Sequence, residues 1–386
     1  MKPVVLVDEN IPWVEHYLGP VATLRKAAGR AMNPGQLQDV DALLVRSVTR
    51  VDQALLHNSQ VSFVGTATSG IDHIDRDYLQ QQGIGFSYAP GSNANSVVEY
   101  VLAAIAAVDD QLERLLHTGR VGIVGYGVIG KRMAARLKAL GISYSVYDPW
   151  LDAADIDCSA ELEAVLACDV VTLHAELTHE QPWPSFHLLG ERELCCLRPD
   201  ALLINASRGP VVDNAALLSL QQRGDLTTRL VLDVWEGEPS INGDLLQKVF
   251  LGSPHIAGYS LDGKILATTM LCRSLQQHFD LAASVVPAPV DDPHHIVLPA
   301  GLAGANMLRY LLRQRYDIFL DDRMLRESTL GKVATDAAAS FDLLRKNYRQ
   351  RRELIGARVR GEPRTAADVA LIAGLGCVPE LSGAGQ

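Results

Sequence analysis

Val121-Gly-Ile-Val-Gly125-Tyr-Gly127-Val-Ile-Gly130-Lys-Arg-Met-Ala-Ala-Arg-Leu137 is the stretch on which the reading of this chain turns. An apolar run, Val121, Ile123 and Val124, enters a G-x-G-x-x-G turn, and the turn opens into a helical pattern that closes at Leu140-Gly141. Such a strand, turn and helix form a cradle for a dinucleotide. Gly125 permits the turn, Gly127 admits a pyrophosphate against the backbone, and Gly130 lets helix and strand pack closely, with Val128 and Ile129 at the helix opening. The next strand, Ser143-Tyr-Ser-Val-Tyr147, ends in Asp148, at the spacing where a carboxylate accepts from the adenosine ribose and repels a 2′-phosphate. The cofactor expected is NAD rather than NADP.

The same alternation runs outward from this stretch. Val4-Val-Leu-Val7 reads as a buried strand leading past Asp8 and Pro12 into a helix. Strands follow at Asp41 to Ser47, Val61 to Val64 and Ile84 to Tyr88, with short helices at Val51 to His57 and through Tyr78 to Gln82. From Ser92 to about His117 the pattern predicts one long apolar helix that bridges two domains. Beyond Asp148 come strands at Asp169 to His174, Ala201 to Asn205 and Leu230 to Asp233, separated by helical patterns. Strands alternating with helices predict parallel sheets covered on both faces.

Composition excludes several classes of function. A formal charge of -10 and only 35 Lys and Arg against 45 Asp and Glu leave no basic surface for a nucleic acid or an anionic membrane. No apolar run is long enough to span a bilayer and no signal segment is evident, so a cytoplasmic protein is expected. The six cysteines lack a C-x-x-C pair and read as reduced thiols, and no metal site is expected. At 48% hydrophobic content over 386 residues, two or three domains are expected.

Ligands of open parallel sheets collect beyond the carboxyl ends of the strands, which is where His174, Arg208, Asp233 and His255 fall. Ser207-Arg208-Gly209-Pro210 at a strand-to-helix turn is an anion-facing loop. Oxidising an alcohol carbon requires a base for the hydroxyl proton, and a carboxylate such as Glu238 can orient the imidazole of His255 for that purpose. Asp233 follows an apolar strand, where it can accept from a nicotinamide carboxamide. His174 is assigned to the cofactor wall or to structure, with no proton transfer.

Gly125-Tyr-Gly127-Val-Ile-Gly130, Asn205-Ala-Ser-Arg208-Gly, Leu232-Asp-Val-Trp-Glu-Gly-Glu238-Pro and Ser253-Pro-His255-Ile-Ala-Gly together resemble the D-isomer-specific 2-hydroxyacid dehydrogenases. The resemblance covers nearly the whole chain. It implies that Arg208 orients the substrate carboxylate, that His255 is the acid/base and that Glu238 supports it. Asp148, Ala175, Ser207, Asp233 and Gly258 match cofactor-binding positions, and Ser47, Thr66 and Tyr259 match substrate-contacting ones. After His174, where Thr-Pro would be usual, this chain has Ala175-Glu176, which removes a rigid proline turn. The stretch Phe341 to Glu353 resembles an added C-terminal dimerisation domain that ordinary members of the family lack.

The fold implied is a pair of Rossmann-like, doubly wound parallel-sheet α/β domains with a cleft between them and a small C-terminal α+β module. Residues 1–92 with 257–285 would form a discontinuous substrate-binding lid, 93–256 the NAD-binding domain and 286–386 the module, joined by a proline-rich linker from Val285 to Pro293. The substrate implied is a small phosphorylated 2-hydroxy acid, oxidised with NAD by a homodimer. Its phosphate needs cations of its own, either Arg46 beside Ser47 or Arg345 with Lys346. Two other readings are a sibling enzyme acting on phosphoglycerate or hydroxypyruvate, disfavoured by the module, and a nicotinamide-sensing binding protein, disfavoured by the intact Arg208, Glu238 and His255.

Overall fold

The computed structural model describes residues 2–282, 295–363 and 365–381, so the expected linker lies outside the described residues. Contacts divide the chain into two compact units, Met1–Asn93 with Ser260–Asp291, and Ala94–Tyr259 with Asp292–Gln386.

The first unit is built on strands β1 (Val4–Asp8), β2 (Thr23–Ala27), β3 (Ala42–Val45), β4 (Phe63–Thr66) and β5 (Gly85–Tyr88), all parallel in the order β2-β1-β3-β4-β5. Its central strands are continuous apolar runs because both faces are buried, one under Val5, Val7, Leu44 and Leu271 and the other under Leu6, Leu43, Val45 and Val64. The helix Leu261–His278 closes one face through Leu271 and Leu275. Strand β2 gave no sequence signal: it is an edge strand whose Thr23, Arg25 and Lys26 are exposed, so no apolar run marks it.

In the second unit, strands β6 (Arg120–Val124), β7 (Ser143–Tyr147), β8 (Val170–Leu173), β9 (Leu202–Asn205), β10 (Arg229–Leu232) and β11 (Leu251–Gly252) form a parallel sheet in the order β11-β10-β9-β8-β6-β7. The strand order reverses between β6 and β8, and at such a switch point the carboxyl ends diverge and leave a crevice. The expected helix from Ser92 to His117 is two helices, Ala94–Ala107 and Gln111–His117. The break falls at Asp110, whose φ of 57° is left-handed, and two successive aspartates favour a turn over a continuing helix.

The C-terminal segment adds a three-stranded parallel sheet, β12 (His295–Val297), β13 (Arg358–Gly361) and β14 (Val378–Leu381), and helices Gly304–Arg313, Ile318–Thr329, Ala334–Lys346 and Ala366–Gly374. It does not cluster apart from the dinucleotide-type sheet. Met307, Leu308 and Leu311 share one core with Val97, Tyr100 and Val101, while Leu325 and Phe341 share another with Trp235 and Leu232. The apolar side chains Leu311, Leu312 and Ile318 are thus covered within the chain, and Phe319 and Leu343 stay exposed. Among the described residues no helix is long and apolar enough to cross a membrane.

Candidate active site

The glycine-rich turn occupies the switch point. Gly125 has φ 93°, a conformation strained for any residue with a side chain, and a Cβ there would come within 2.6 Å of Ala175 N on the chain leaving β8. A Cβ on Gly130 would overlap the Gly125 carbonyl, whereas Gly127, which caps the helix Val128–Ala139, faces open space. Val128 is half exposed at the helix opening and Ile129 packs against the core. At the end of β7, Asp148 Oδ2 accepts from Tyr126 N at 2.7 Å and Oδ1 accepts from Trp150 N at 3.0 Å. Each oxygen keeps a lone pair for a ribose hydroxyl. An open helix N-terminus next to a carboxylate with spare acceptor capacity fits the pyrophosphate and ribose of NAD.

His174 lies in the wall of the same turn. Its Nε2 is 3.1 Å from Thr172 Oγ1, its buried Nδ1 has no hydrogen-bond partner, and burial pushes its pKa down to about 4. It is therefore neutral near pH 7, in keeping with a wall residue.

Three loops at the carboxyl ends of β9, β10 and β11 carry the remaining residues of this unit. After β9, Asn205 Oδ1 accepts from Ser207 N at 3.1 Å and Ser207 Oγ at 2.9 Å, and its Nδ2 donates to Arg208 O at 3.0 Å. This knot sets the backbone of Arg208, whose guanidinium donates to Ser207 O at 2.9 Å. Gly209 then presses on the loop after β10: a Cβ there would overlap the backbone of Trp235. That contact brings the Arg208 loop to the loop carrying Glu238.

Asp233, buried at the end of β10, accepts from Ser253 Oγ at 2.6 Å, Ile256 N at 2.8 Å and Ala257 N at 2.9 Å. These bonds fold residues 253–257 around its carboxylate, with three of about four acceptor sites taken and one left for a cofactor donor. His255, at their centre, is held with φ 57° and donates its N–H to Asp233 O at 2.7 Å. A left-handed backbone is uncommon outside glycine, so the loop constrains the direction in which the imidazole points. Gly258 follows in a turn closed by Tyr259 N donating to Ile256 O at 2.8 Å.

The imidazole meets the carboxylate of Glu238, with Nδ1 and Oε2 2.8 Å apart, while Oε1 accepts from Trp235 N at 2.8 Å. Burial pushes the Glu238 carboxyl up, but the charge and hydrogen bond of His255, the Trp235 N–H and the charge of Arg345 outweigh it and hold the group below its usual range. The result is an ionised carboxylate fixed on one edge of an imidazole, an arrangement suited to general acid/base work at the other edge.

The substrate residues expected in the first unit lie at the ends of β3 and β4. Ser47 is exposed in the turn after β3, and Arg46 Nε is 3.1 Å from Oδ1 of the buried Asp8. Thr66 is fully buried and its Oγ1 lies 2.8 Å from both Thr68 Oγ1 and His73 Nε2, so its hydroxyl is turned into the unit. Sequence reading missed the supports Asn205, Gly209 and Trp235. Only the short spacing of Asn205 to Arg208 could have signalled the first. Among the described residues one cluster, His187, Asp213 and Glu236, has metal-ligating groups close together, but Asp213 caps a helix and Glu236 accepts from Asn214 N.

Residues 103–257 match the family described as D-isomer specific 2-hydroxyacid dehydrogenase, NAD binding domain, and residues 292–376 match a domain of unknown function (DUF3410). Across 365 residues the chain is 47% identical to an erythronate-4-phosphate dehydrogenase of Cellvibrio japonicus, covering 92% of this chain and 94% of that one. The chain belongs to the erythronate-4-phosphate dehydrogenase family. Another member of that family, from Stutzerimonas stutzeri, is 43% identical over 96% of this chain and 98% of its own. Among solved structures, a D-lactate dehydrogenase of Aquifex aeolicus complexed with NAD and lactic acid matches with a TM-score of 0.58 at 23% identity, over 72% of this chain and 95% of that one, which speaks to the fold. The match over residues 103–257 to an NAD-binding domain, together with relatives named as dehydrogenases, makes this chain an NAD-dependent oxidoreductase with NAD as its cofactor.

Proposed function

We propose that this protein oxidises 4-phospho-D-erythronate to (R)-3-hydroxy-2-oxo-4-phosphooxybutanoate with NAD, a step towards pyridoxal phosphate. The observation that carries the reading is the His255–Glu238 pair, held at 2.8 Å on the same side of the sheet as the Arg208 loop. Family membership supplies the substrate named.

Arg208 binds the C1 carboxylate, for which a planar fork of donors is the natural partner. His255, its Nδ1 turned to Glu238, takes the C2 hydroxyl proton at Nε2, and Glu238 stabilises the imidazolium so formed. NAD, when bound, supplies the hydride acceptor. Gly125, Gly127, Val128, Ile129 and Gly130 hold its pyrophosphate, Asp148 its ribose, and Ala175, Ser207, Asp233 and Gly258 line the rest of its path. Ser47, Thr66 and Tyr259 contact the substrate, Thr66 through its backbone because its hydroxyl is engaged inside the unit.

We place the enzyme in the cytoplasm, where its six free thiols remain reduced. It acts as a homodimer through the C-terminal segment, whose Phe319 and Leu343 are exposed apolar side chains. Sedimentation at micromolar concentration should give twice the 41.9 kDa chain mass, and a monomer would remove the dimer.

The deciding experiment is a spectroscopic assay of NAD reduction on D-2-hydroxy acids, phosphorylated and not. Preference for 4-phospho-D-erythronate is expected. Turnover of 3-phosphoglycerate in preference to it would assign the chain to a sibling activity, and no turnover of any acid would indicate a cofactor-binding protein.

A further inference from the structure

The C-terminal segment does more than extend the second unit: it forms part of the wall beside the acid/base pair. Along and beyond the helix Ala334–Lys346, four side chains meet the loops after β10 and β11. Phe341 is fully buried in the core that holds Trp235, whose N–H fixes Glu238. Arg345, one helical turn on, sets its guanidinium carbon 6.0 Å from the centre of the Tyr259 ring. Tyr348 meets the same ring edge-on at 5.8 Å, and Arg351 donates to Ala257 O at 2.6 Å.

The basic residues of this stretch are not equivalent. Arg349 is engaged by Asp321 at 2.5 Å, and Arg351 is buried, bonded to Ser96 and Ala257 and stacked 4.3 Å from the Tyr316 ring centre. Lys346 is exposed. Arg345 is half-buried against a phenol ring, its Nε buried without a hydrogen-bond partner, and its charge reaches Glu238. Its guanidinium gives one hydrogen bond to Tyr259 and keeps further N–H donors.

Resting on the function proposed above, we infer that Arg345 is the ligand of the substrate's terminal phosphate. With the C1 carboxylate on Arg208 and the C2 hydroxyl on His255, the phosphomonoester on C4 extends a few bond lengths past the imidazole. Tyr259 follows His255 by four residues, Arg345 is packed on Tyr259, and its charge reaches Glu238, so this guanidinium lies beside the acid/base pair, where a four-carbon acid has its far end to place. The competing cation, Arg46, is already drawn to buried Asp8. The segment that sets this family apart from plain 2-hydroxyacid dehydrogenases thus supplies the group that selects a phosphorylated acid.

The test compares the wild-type chain with Arg345→Met, Arg345→Lys and Arg46→Met, at saturating NAD, on 4-phospho-D-erythronate and on D-erythronate. Calorimetric titration of inorganic phosphate into each protein provides a readout independent of turnover. Arg345→Met should raise KM for the phosphorylated acid by about thirtyfold or more and weaken phosphate binding, with a clearly smaller loss of kcat/KM on D-erythronate that reflects only the charge Arg345 lends to Glu238. Arg345→Lys should recover part of this, because it restores the charge but not the fork. If Arg345→Met fails to fold, the Lys variant decides on the same substrate contrast. Equal losses on both acids would make Arg345 a positioning residue for Glu238, and a selective loss in Arg46→Met alone would move the phosphate to the first unit. Either result overturns the inference, as does unchanged phosphate affinity. A wild-type protein that binds phosphate through Arg345 yet oxidises neither acid would instead sink the proposed function.

Discussion

Glu238 Oε2 stands 2.8 Å from Nδ1 of His255, and the other oxygen of the same carboxylate is tied to the backbone N–H of Trp235. One carboxylate therefore fixes the orientation of the imidazole and is itself fixed by the strand-end loop before it. The ring is positioned by the fold before any ligand arrives, which is what a proton acceptor needs if little is to be reorganised during reaction.

Replacement of His255 by Asn should lower kcat by roughly a hundredfold or more, the usual contribution of a general base, while NAD affinity measured by fluorescence titration stays near that of the wild type. Glu238→Gln should lie between the two, because it keeps a hydrogen bond to Nδ1 but loses the charge that stabilises imidazolium. Wild-type kcat in the His255 variant would remove this residue from the mechanism.

Asp148→Ala should narrow the preference for NAD over NADP by about tenfold, since a carboxylate that repels a 2′-phosphate is lost with its ribose hydrogen bonds. The substitution also leaves the Tyr126 and Trp150 N–H groups without their acceptor, so both cofactors should bind less tightly than to the wild type. The ratio of specificity constants is the diagnostic quantity. An unchanged ratio would place cofactor selection elsewhere.

At Gly209 a single methyl group is expected to matter. Its Cβ would overlap the backbone of Trp235, which has no side-chain freedom with which to yield. Gly209→Ala should cost about 2 kcal/mol or more in urea denaturation, the range for forced overpacking, and should lower turnover by separating the Arg208 loop from the Glu238 loop. A variant of wild-type stability would mean that these loops are not held in contact.

The pH dependence of stability should carry the signature of Glu99. This buried residue accepts from Leu354 N at 2.7 Å, and burial, with the charge of Glu353, pushes its carboxyl up from 4.5 to about 8 against the opposing pull of Arg351 and Arg136. Between those two values the unfolded chain loses the proton while the folded chain keeps it, so the unfolded state binds fewer protons and stability falls as pH rises across this window. The slope from one group is at most about 1.4 kcal/mol per pH unit. Glu99→Gln, which keeps an acceptor for Leu354 N, should flatten this part of the profile in denaturation measured from pH 5 to 8.5. A Gln variant as steep as the wild type would show that Glu99 ionises normally in the folded protein.

Much of the candidate site could be proposed before any coordinates because its signals are local. The apolar run, the three glycines and Asp148 at the end of the next strand depend on a few neighbouring residues whose conformational preferences are strong, and the loops after β9, β10 and β11 place Arg208, Asp233, Glu238 and His255 simply by following strands. The β2 edge strand and the break at Asp110 escaped because an exposed strand needs no apolar run and one turn residue can end an otherwise unbroken helical pattern. Other features belong to the tertiary structure alone. That Asp233 spends its carboxylate on Ser253, Ile256 and Ala257, that the Thr66 hydroxyl turns inward to His73, and that Arg345 arrives against Tyr259 are outcomes of contacts between segments far apart in the chain. Such contacts are selected by the packing of whole elements, and no periodicity within a short window records which distant side chain will fill the space beside a given one.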